Sequence, residues 1–200
     1  MKFRALALAA LLPCLAVSAN WDKDKMQGSP TAPVAIEVYG SFDCVHCKAL
    51  HEGMMLQIIK DLVMTGKACV ISREYPLPPP YHKYARDAAN MATAAARIGK
   101  YQPVADALFK DQEKWETSGK VWETVAAVLS PAEQAKVKAL ANDPAVVAEV
   151  QNDLDQGSAS GINQTPTMMV IRRSDGKRYP FVGLPPSYDL FRTFVAGGAK

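Results

Sequence analysis

The chain has 200 residues, enough for one domain with its own core or one domain carrying a large insertion. Apolar residues make up 48% and charged residues 22%, which excludes a disordered or fibrous chain. The formal charge is +3, or +1 without Lys2 and Arg4, and the basic residues form no long run, so neither nucleic acid nor an anionic membrane surface is an expected partner.

Lys2 and Arg4 begin a short positive segment, followed by an apolar run from Ala5 to Val17 that is too short to span a bilayer comfortably. Val17-Ser18-Ala19 supplies small residues for cleavage, so residues 1–19 read as a signal peptide, cleaved after Ala19, and the mature chain as exported. Two other readings remain open: Cys14 as a lipoprotein cysteine, which Pro13 fits poorly, and an uncleaved membrane anchor. No later segment is apolar enough to cross a membrane.

Residues 20–32 are polar and contain Gly28, Ser29 and Pro30, an N-terminal arm. Pro33–Tyr39 has the β-branched and aromatic content of a strand, and Gly40–Asp43 a turn. From Cys44 to about Met64 the pattern is helical, with Gly53 a weak point, and Thr65-Gly66 stops it. A second strand is expected over Lys67–Tyr75, closed by Pro76-Leu-Pro-Pro-Pro80.

The next stretch is almost wholly helical. Tyr84–Ile98 is alanine-rich (Ala85, Ala88, Ala89, Ala92, Ala95, Ala96) and ends at Gly99; Val104–Trp115 and Val121–Leu129 follow. Ser130-Pro131 and Asp143-Pro144 are cap and first-turn pairs. The second opens a helix to about Gln156 with Val146, Val147, Val150 and Leu154 on one face, broken by Gly157 and Gly161. Thr167–Arg172 and Lys177–Val182 then flank Ser174-Asp175-Gly176, a hairpin signal, and a final helix runs through Phe194 after Pro185-Pro186. The order is β-α-β, a helical block, then β-β-α. The fold class is α/β, with the helical block inserted between strands of one sheet.

Without the first 19 residues the cysteines are Cys44, Cys47 and Cys69. Cys69 lies in an apolar strand and reads as a small buried hydrophobe. Cys44-Val45-His46-Cys47 sits where a strand hands over to a helix. A thiol there meets unpaired backbone N–H groups and the positive end of the dipole, both of which favour thiolate. Cys44 is so placed. Cys47, one turn on, is in position to resolve a mixed disulfide formed at Cys44. Two other uses stay open. Cys44, Cys47 and His51 have a ligand spacing for zinc or Cu(I), although no second Cys or His pair closes a structural site. A purely structural disulfide would close too small a loop to stabilise much.

The stretches Ser41–Cys47, Arg73–Leu77, Ala85–Phe109 and Gly161–Val170 together resemble the DsbA-like thiol–disulfide oxidoreductases of the thioredoxin superfamily. The resemblance runs from about Pro30 to Phe194. It implies a thioredoxin fold over residues 33–79 and 158–200 with an inserted helical domain over 80–157. It implies that Cys44 is the exposed nucleophile and Cys47 the resolving thiol, and that His46 stabilises the Cys44 thiolate. Pro166 would be a cis-proline facing the disulfide, with the Thr165 backbone free to pair with an extended client. Val45 and Thr165 would touch substrate, and Val45, Leu77, Pro78–Pro80, Thr165 and Met168 would line a shallow apolar groove.

The implied protein is a periplasmic monomer with no cofactor beyond its own Cys44–Cys47 disulfide and no metal. It would oxidise folding exported proteins and be reoxidised by a membrane redox partner. A reductase or isomerase, kept reduced by a different membrane partner, is the nearest rival. A copper- or zinc-handling carrier and a dedicated binding partner for one client are the others. Two departures bear on the chemistry. Val45 replaces the family's usual proline, so the redox potential does not transfer. The buried acid that many relatives carry six residues before the first cysteine is Val38 here, and the neighbouring Glu37 is expected on the other side of the strand, in solvent or in an ion pair; unless an extra residue in the turn lets Glu37 substitute, the acid's assistance is missing or comes from water.

Overall fold

The computed structural model describes residues 23–197. The expected signal peptide with its cleavage after Ala19, and Cys14, fall outside them. In chain order the elements are a 3-10 turn Lys23–Lys25, β1 Met26–Gln27, β2 Val34–Gly40, α1 Val45–Glu52, α2 Met54–Ile58, a π-helical turn Ile59–Val63 and β3 Ala68–Glu74. Then come α3 Ala85–Ala96, α4 Tyr101–Lys110, α5 Gln112–Trp115, α6 Val121–Ala126, α7 Pro131–Leu140, α8 Pro144–Ala159, β4 Thr167–Arg172, β5 Arg178–Val182 and α9 Tyr188–Ala196.

The strands form one sheet in the order β1-β3-β2-β4-β5. β2 and β3 run parallel with Gly40 opposite Glu74, and β4 is antiparallel to β2 with Thr167 opposite Tyr39. Residues 23–27, expected as part of an arm, supply an edge strand antiparallel to β3 and a fully buried Lys25.

Alternation along the strands sorts the sheet into two faces. Ile36 and Val70 pack with Leu50, Met55, Ile58 and Leu62 from the segment after the cysteines and with Phe191 and Val195 of α9. Ala35, Tyr39, Cys69, Ile71, Met169 and Ile171 form the core of the opposite face, which α8 covers. Helices α3 to α7 enclose a third core around Leu108, Trp115, Val125 and Val137, and Phe42 from the turn after β2 reaches into it. Gln112 fixes that turn by donating from Nε2 to the Phe42 carbonyl at 2.6 Å.

The break expected at Gly53 is present. Gly157 does not end α8, however: the helix runs on to Ala159, and Gly161, with φ +77°, closes it. A Cβ at Gly157 would lie 2.7 Å from the Tyr75 ring and 3.0 Å from the Tyr39 ring, so glycine is what lets α8 approach the sheet. The buried stripe of α8 is Val146, Val150, Asp153 and Gly157, and Val147 is 38% exposed. Asp153 belongs there because a buried charge network meets it. Lys25 Nζ lies 2.7 Å and Arg73 Nη1 3.1 Å from its carboxylate. Glu37 joins from β2, buried and paired with Arg73 at 2.9 Å and with Arg178 at 2.9 Å. Of the two settings expected for Glu37, solvent is excluded and the ion pair is observed.

Candidate active site

β2 ends at Gly40, and the turn through Ser41, Phe42 and Asp43 delivers Cys44 to the N-cap of α1 with φ −85° and ψ 118°. The Cys44 carbonyl accepts the first helical bond, from Lys48 N at 3.1 Å. An N-cap side chain faces the free N–H groups of the first turn, the place Ser, Thr or Asp oxygens usually occupy. Here that position belongs to a cysteine, which makes no side-chain capping hydrogen bond as a thiol. Behind, β4 begins at Thr167, and the Thr165–Pro166 peptide bond just before it is cis. The Cys44 thiol donates to the Thr165 carbonyl at 3.5 Å.

These contacts set the acidity of the pair. The Cys44 thiol is pulled from about 9 down to about 5. The largest cause is the hydrogen bond donated by Cys47; burial opposes it, and Thr165 and the backbone N–H groups of Cys47 and His46 reinforce it. Cys47 moves the other way, held protonated by its bond to the Cys44 sulfur, by burial and by the negative charge at Cys44. The arrangement therefore separates an ionised sulfur at the rim from a protonated one behind it.

Cys44 is 8% exposed and Cys47 4%, so the first sulfur sits in a shallow recess rather than standing free. Val45, 62% exposed, and His46, also exposed, stand in front of it. His46 reaches the Cys44 sulfur through its backbone N–H. Met168, expected in the groove, is fully buried in the sheet core, because the alternation of β4 turns it inward. Exposed apolar residues near Pro166 are instead Val182, the last residue of β5, and Leu184, on either side of Gly183, whose N donates to the Pro166 carbonyl at 2.8 Å.

Ser41, Asp43 and His82 were given no role by the sequence. Asp43 is buried, accepts from Ser41 Oγ at 2.5 Å and contacts His82 Nδ1 at 2.7 Å. Leu77 N donates to Ser41 Oγ at 3.2 Å. Together they tie the turn before Cys44 to the proline-rich loop after β3. His51 meets Asp106 at 2.8 Å and stacks on Phe109, with ring centroids 4.6 Å apart. Among the described residues no three His, Cys, Asp or Glu side chains are gathered to hold a metal ion. Cys69 lies on the α8 face of the sheet, fully buried, its thiol pushed up by burial.

The chain matches the thioredoxin family model over residues 20–179, and it belongs to that family. Its fold is the DsbA-like form of the thioredoxin fold. The crystal structure of Wolbachia pipientis alpha-DsbA1 superposes with a TM-score of 0.73 over 88% of this chain and 90% of that one, at 22% identity. Oxidised BdbD from Bacillus subtilis gives 0.69 over 88% and 92%, at 18% identity. A curated relative, Na(+)/H(+) antiporter NhaA 1 of Mycolicibacterium gilvum, is 29% identical over 179 residues, which is 88% of this chain and 27% of the antiporter. The chain thus spans about a quarter of the length of the curated relatives it matches.

Proposed function

We propose that this protein is an exported thiol–disulfide oxidoreductase that passes the Cys44–Cys47 disulfide to folding client proteins. The observation that carries this is the Cys44 sulfur at the N-cap of α1, its thiol drawn down to about 5, with a protonated Cys47 one turn behind. A client thiolate attacks the Cys44 sulfur of the disulfide. The S–S bond breaks, its electron pair stays on Cys47, and Cys47 takes up a proton. A second client thiolate then attacks the client sulfur of the mixed disulfide, and Cys44 leaves as thiolate. The client has lost two electrons and gained a disulfide; the protein holds a dithiol.

The stabilised Cys44 thiolate favours the oxidising direction, because it stabilises the reduced protein and makes Cys44 a good leaving group. The exposed Val45, Val182 and Leu184 and the Thr165 segment offer weak, sequence-tolerant contact, which suits partly folded clients. The protein acts as a periplasmic monomer without a bound cofactor, and a membrane redox protein restores its disulfide. Among the described residues no helix is long and apolar enough to cross a membrane.

The test is the equilibrium of the Cys44–Cys47 pair against glutathione buffers, with the Cys44 titration read on the same sample. A potential near about −120 mV supports the oxidase; one near about −270 mV overturns it in favour of a reductase.

A further inference from the structure

Chemistry at Cys47 needs a partner for its proton, and Val38 offers none. We infer that Glu74, at the end of β3, is that partner, exchanging a proton with Cys47 through the small cavity that both residues line. This deepens the proposed exchange reaction and rests on it.

The sheet register places the acid. Gly40 on β2 lies beside the Cys47 sulfur: a Cβ built there would sit 3.5 Å from it. Glu74 is the β3 residue opposite Gly40 in the parallel pair, as Ser72 is opposite Val38. Partners in register point to the same face. Glu74 and Ser72 therefore share the face of Val70, which carries α1 and Cys47, whereas Glu37 and Arg73 point to the α8 face. The acid missing from Val38 is supplied from one strand away.

Both groups line one cavity of about 60 Å³, together with Gly40, Ser72 and Tyr101 and with apolar side chains such as Leu50, Val70 and Phe109. Ser72, Glu74 and Tyr101 make part of its wall polar, and its volume is enough to hold water. Tyr101 of α4 holds the carboxyl by donating to Oε1 at 2.8 Å. Glu74 is 2% exposed, and among the described residues no ion pair to its carboxyl is found. Burial, reinforced by Asp153 and Glu149, pushes the Glu74 carboxyl up to about 8, against the pull of Lys25 and the Tyr101 hydroxyl. The other titratable groups around the cavity are His51, turned to Asp106, and Arg73, engaged with Glu37 and Asp153.

The proton count closes. When a client thiolate opens the disulfide, the electron pair leaves on Cys47 and the Glu74 carboxylic acid gives up its proton through a cavity water to form the Cys47 thiol. When the pair is reoxidised, Cys47 returns that proton to the Glu74 carboxylate as its sulfur attacks Cys44 in the mixed disulfide with the oxidant. Glu74 touches neither client nor the S–S bond and acts through Cys47, a positioning role for the proton.

The test is the rate at which excess dithiothreitol reduces the oxidised protein, measured against pH and corrected for the reagent's thiolate fraction. The expected wild-type profile is flat below about 8 and falls about tenfold per pH unit above it, as Glu74 loses its proton. Glu74→Gln should be slower below that point and lose the inflection. Tyr101→Phe removes a donor that favours the carboxylate and should move the inflection upward. An unchanged inflection in a folded Glu74→Gln protein overturns the inference. If that variant does not fold, the wild-type redox-difference infrared spectrum decides: a protonated carboxyl band at neutral pH that changes with the state of the Cys pair supports the relay, and its absence overturns it. A wild type that exchanges no disulfide overturns the proposed function itself, which is seen before any variant is made.

Discussion

Cys44 faces Thr165 across the rim of the site, its sulfur 3.5 Å from the Thr165 carbonyl, while its residue holds the N-cap position of α1. The thiol donates to that carbonyl, whereas the Thr165 side chain, the Cys47 thiol and the backbone N–H groups of His46 and Cys47 favour the thiolate. Alkylation of the reduced protein should titrate near 5, more than three units below an ordinary cysteine. Measuring the iodoacetamide rate against pH checks this; Cys44→Ser should abolish both the reaction and disulfide exchange.

The largest cause of that acidity is the Cys47 thiol, which a mutation series separates from the helix end. Cys47→Ser keeps a hydroxyl donor and should leave the Cys44 titration well below 9. Cys47→Ala removes the donor and should raise it further, leaving the backbone N–H groups and Thr165 in place. Offered a disulfide-bonded peptide, both variants should accumulate the mixed disulfide formed when the Cys44 thiolate attacks it, since no Cys47 thiol remains to resolve it. Equal titrations in the two would show that the helix N-terminus alone sets the acidity.

Stability should depend on redox state and pH in a defined direction. In the reduced protein Cys44 releases its proton near 5 folded and near 9 unfolded, so between those values the unfolded chain binds more protons and stability rises with pH. The gain is complete above about 9 and lost as pH falls through 5. The oxidised protein has no such group. The excess stability of reduced over oxidised protein should therefore grow between pH 5 and 9 by at most ~1.4 kcal/mol per pH unit, less the part screened by solvent at the rim. Urea unfolding of both forms at several pH values measures it; a pH-independent gap would contradict the lowered Cys44 titration.

The β-α-β, helices, β-β-α order was readable because local signals and tertiary demands agree: Gly53 breaks α1 from α2, Ser130-Pro131 and Asp143-Pro144 open α7 and α8, and Asp175-Gly176 turns β4 into β5. The cysteines were readable because their spacing is itself the chemistry. What could not be read depends on contacts between distant residues. Asp43 meets His82 across 39 positions and Lys25 meets Asp153 across 128. Glu74 looks like an ordinary polar residue at a strand end until the register sets it opposite Gly40. Gly157 reads as a helix breaker because propensity cannot see the tyrosine rings that demand it.

Those rings give a sharp packing test. Gly157→Ala should improve helix propensity by roughly 1 kcal/mol in isolation. In the protein its methyl would lie 2.7 Å from the Tyr75 ring, which also donates from its hydroxyl to the Ile162 carbonyl at 2.8 Å. The steric cost of overpacking, about 1–3 kcal/mol, should prevail and lower Tm. A double variant with Tyr75→Leu should recover part of the loss, whereas a simple helix effect would make the single substitution stabilising.

Lys25 is the cation on which the edge of the sheet depends. It is fully buried, 2.7 Å from Asp153 and 2.9 Å from Glu149, and burial, which opposes its charge, is outweighed by these carboxylates and Glu74. Lys25→Met keeps the bulk of the stem but leaves carboxylates facing an apolar side chain. Breaking one partner of such a buried pair costs about 3–5 kcal/mol. Replacing Asp153 as well, by Asn, should recover part of that cost, because the uncompensated charge rather than the missing bond is the main penalty. Lys25→Met also removes a pull on the Glu74 carboxyl, so its titration should move upward from about 8. Chemical unfolding and the pH profile of disulfide reduction, taken on Lys25→Met, read the two effects separately. A stable variant with an unmoved profile would place Lys25 outside the electrostatics of the site.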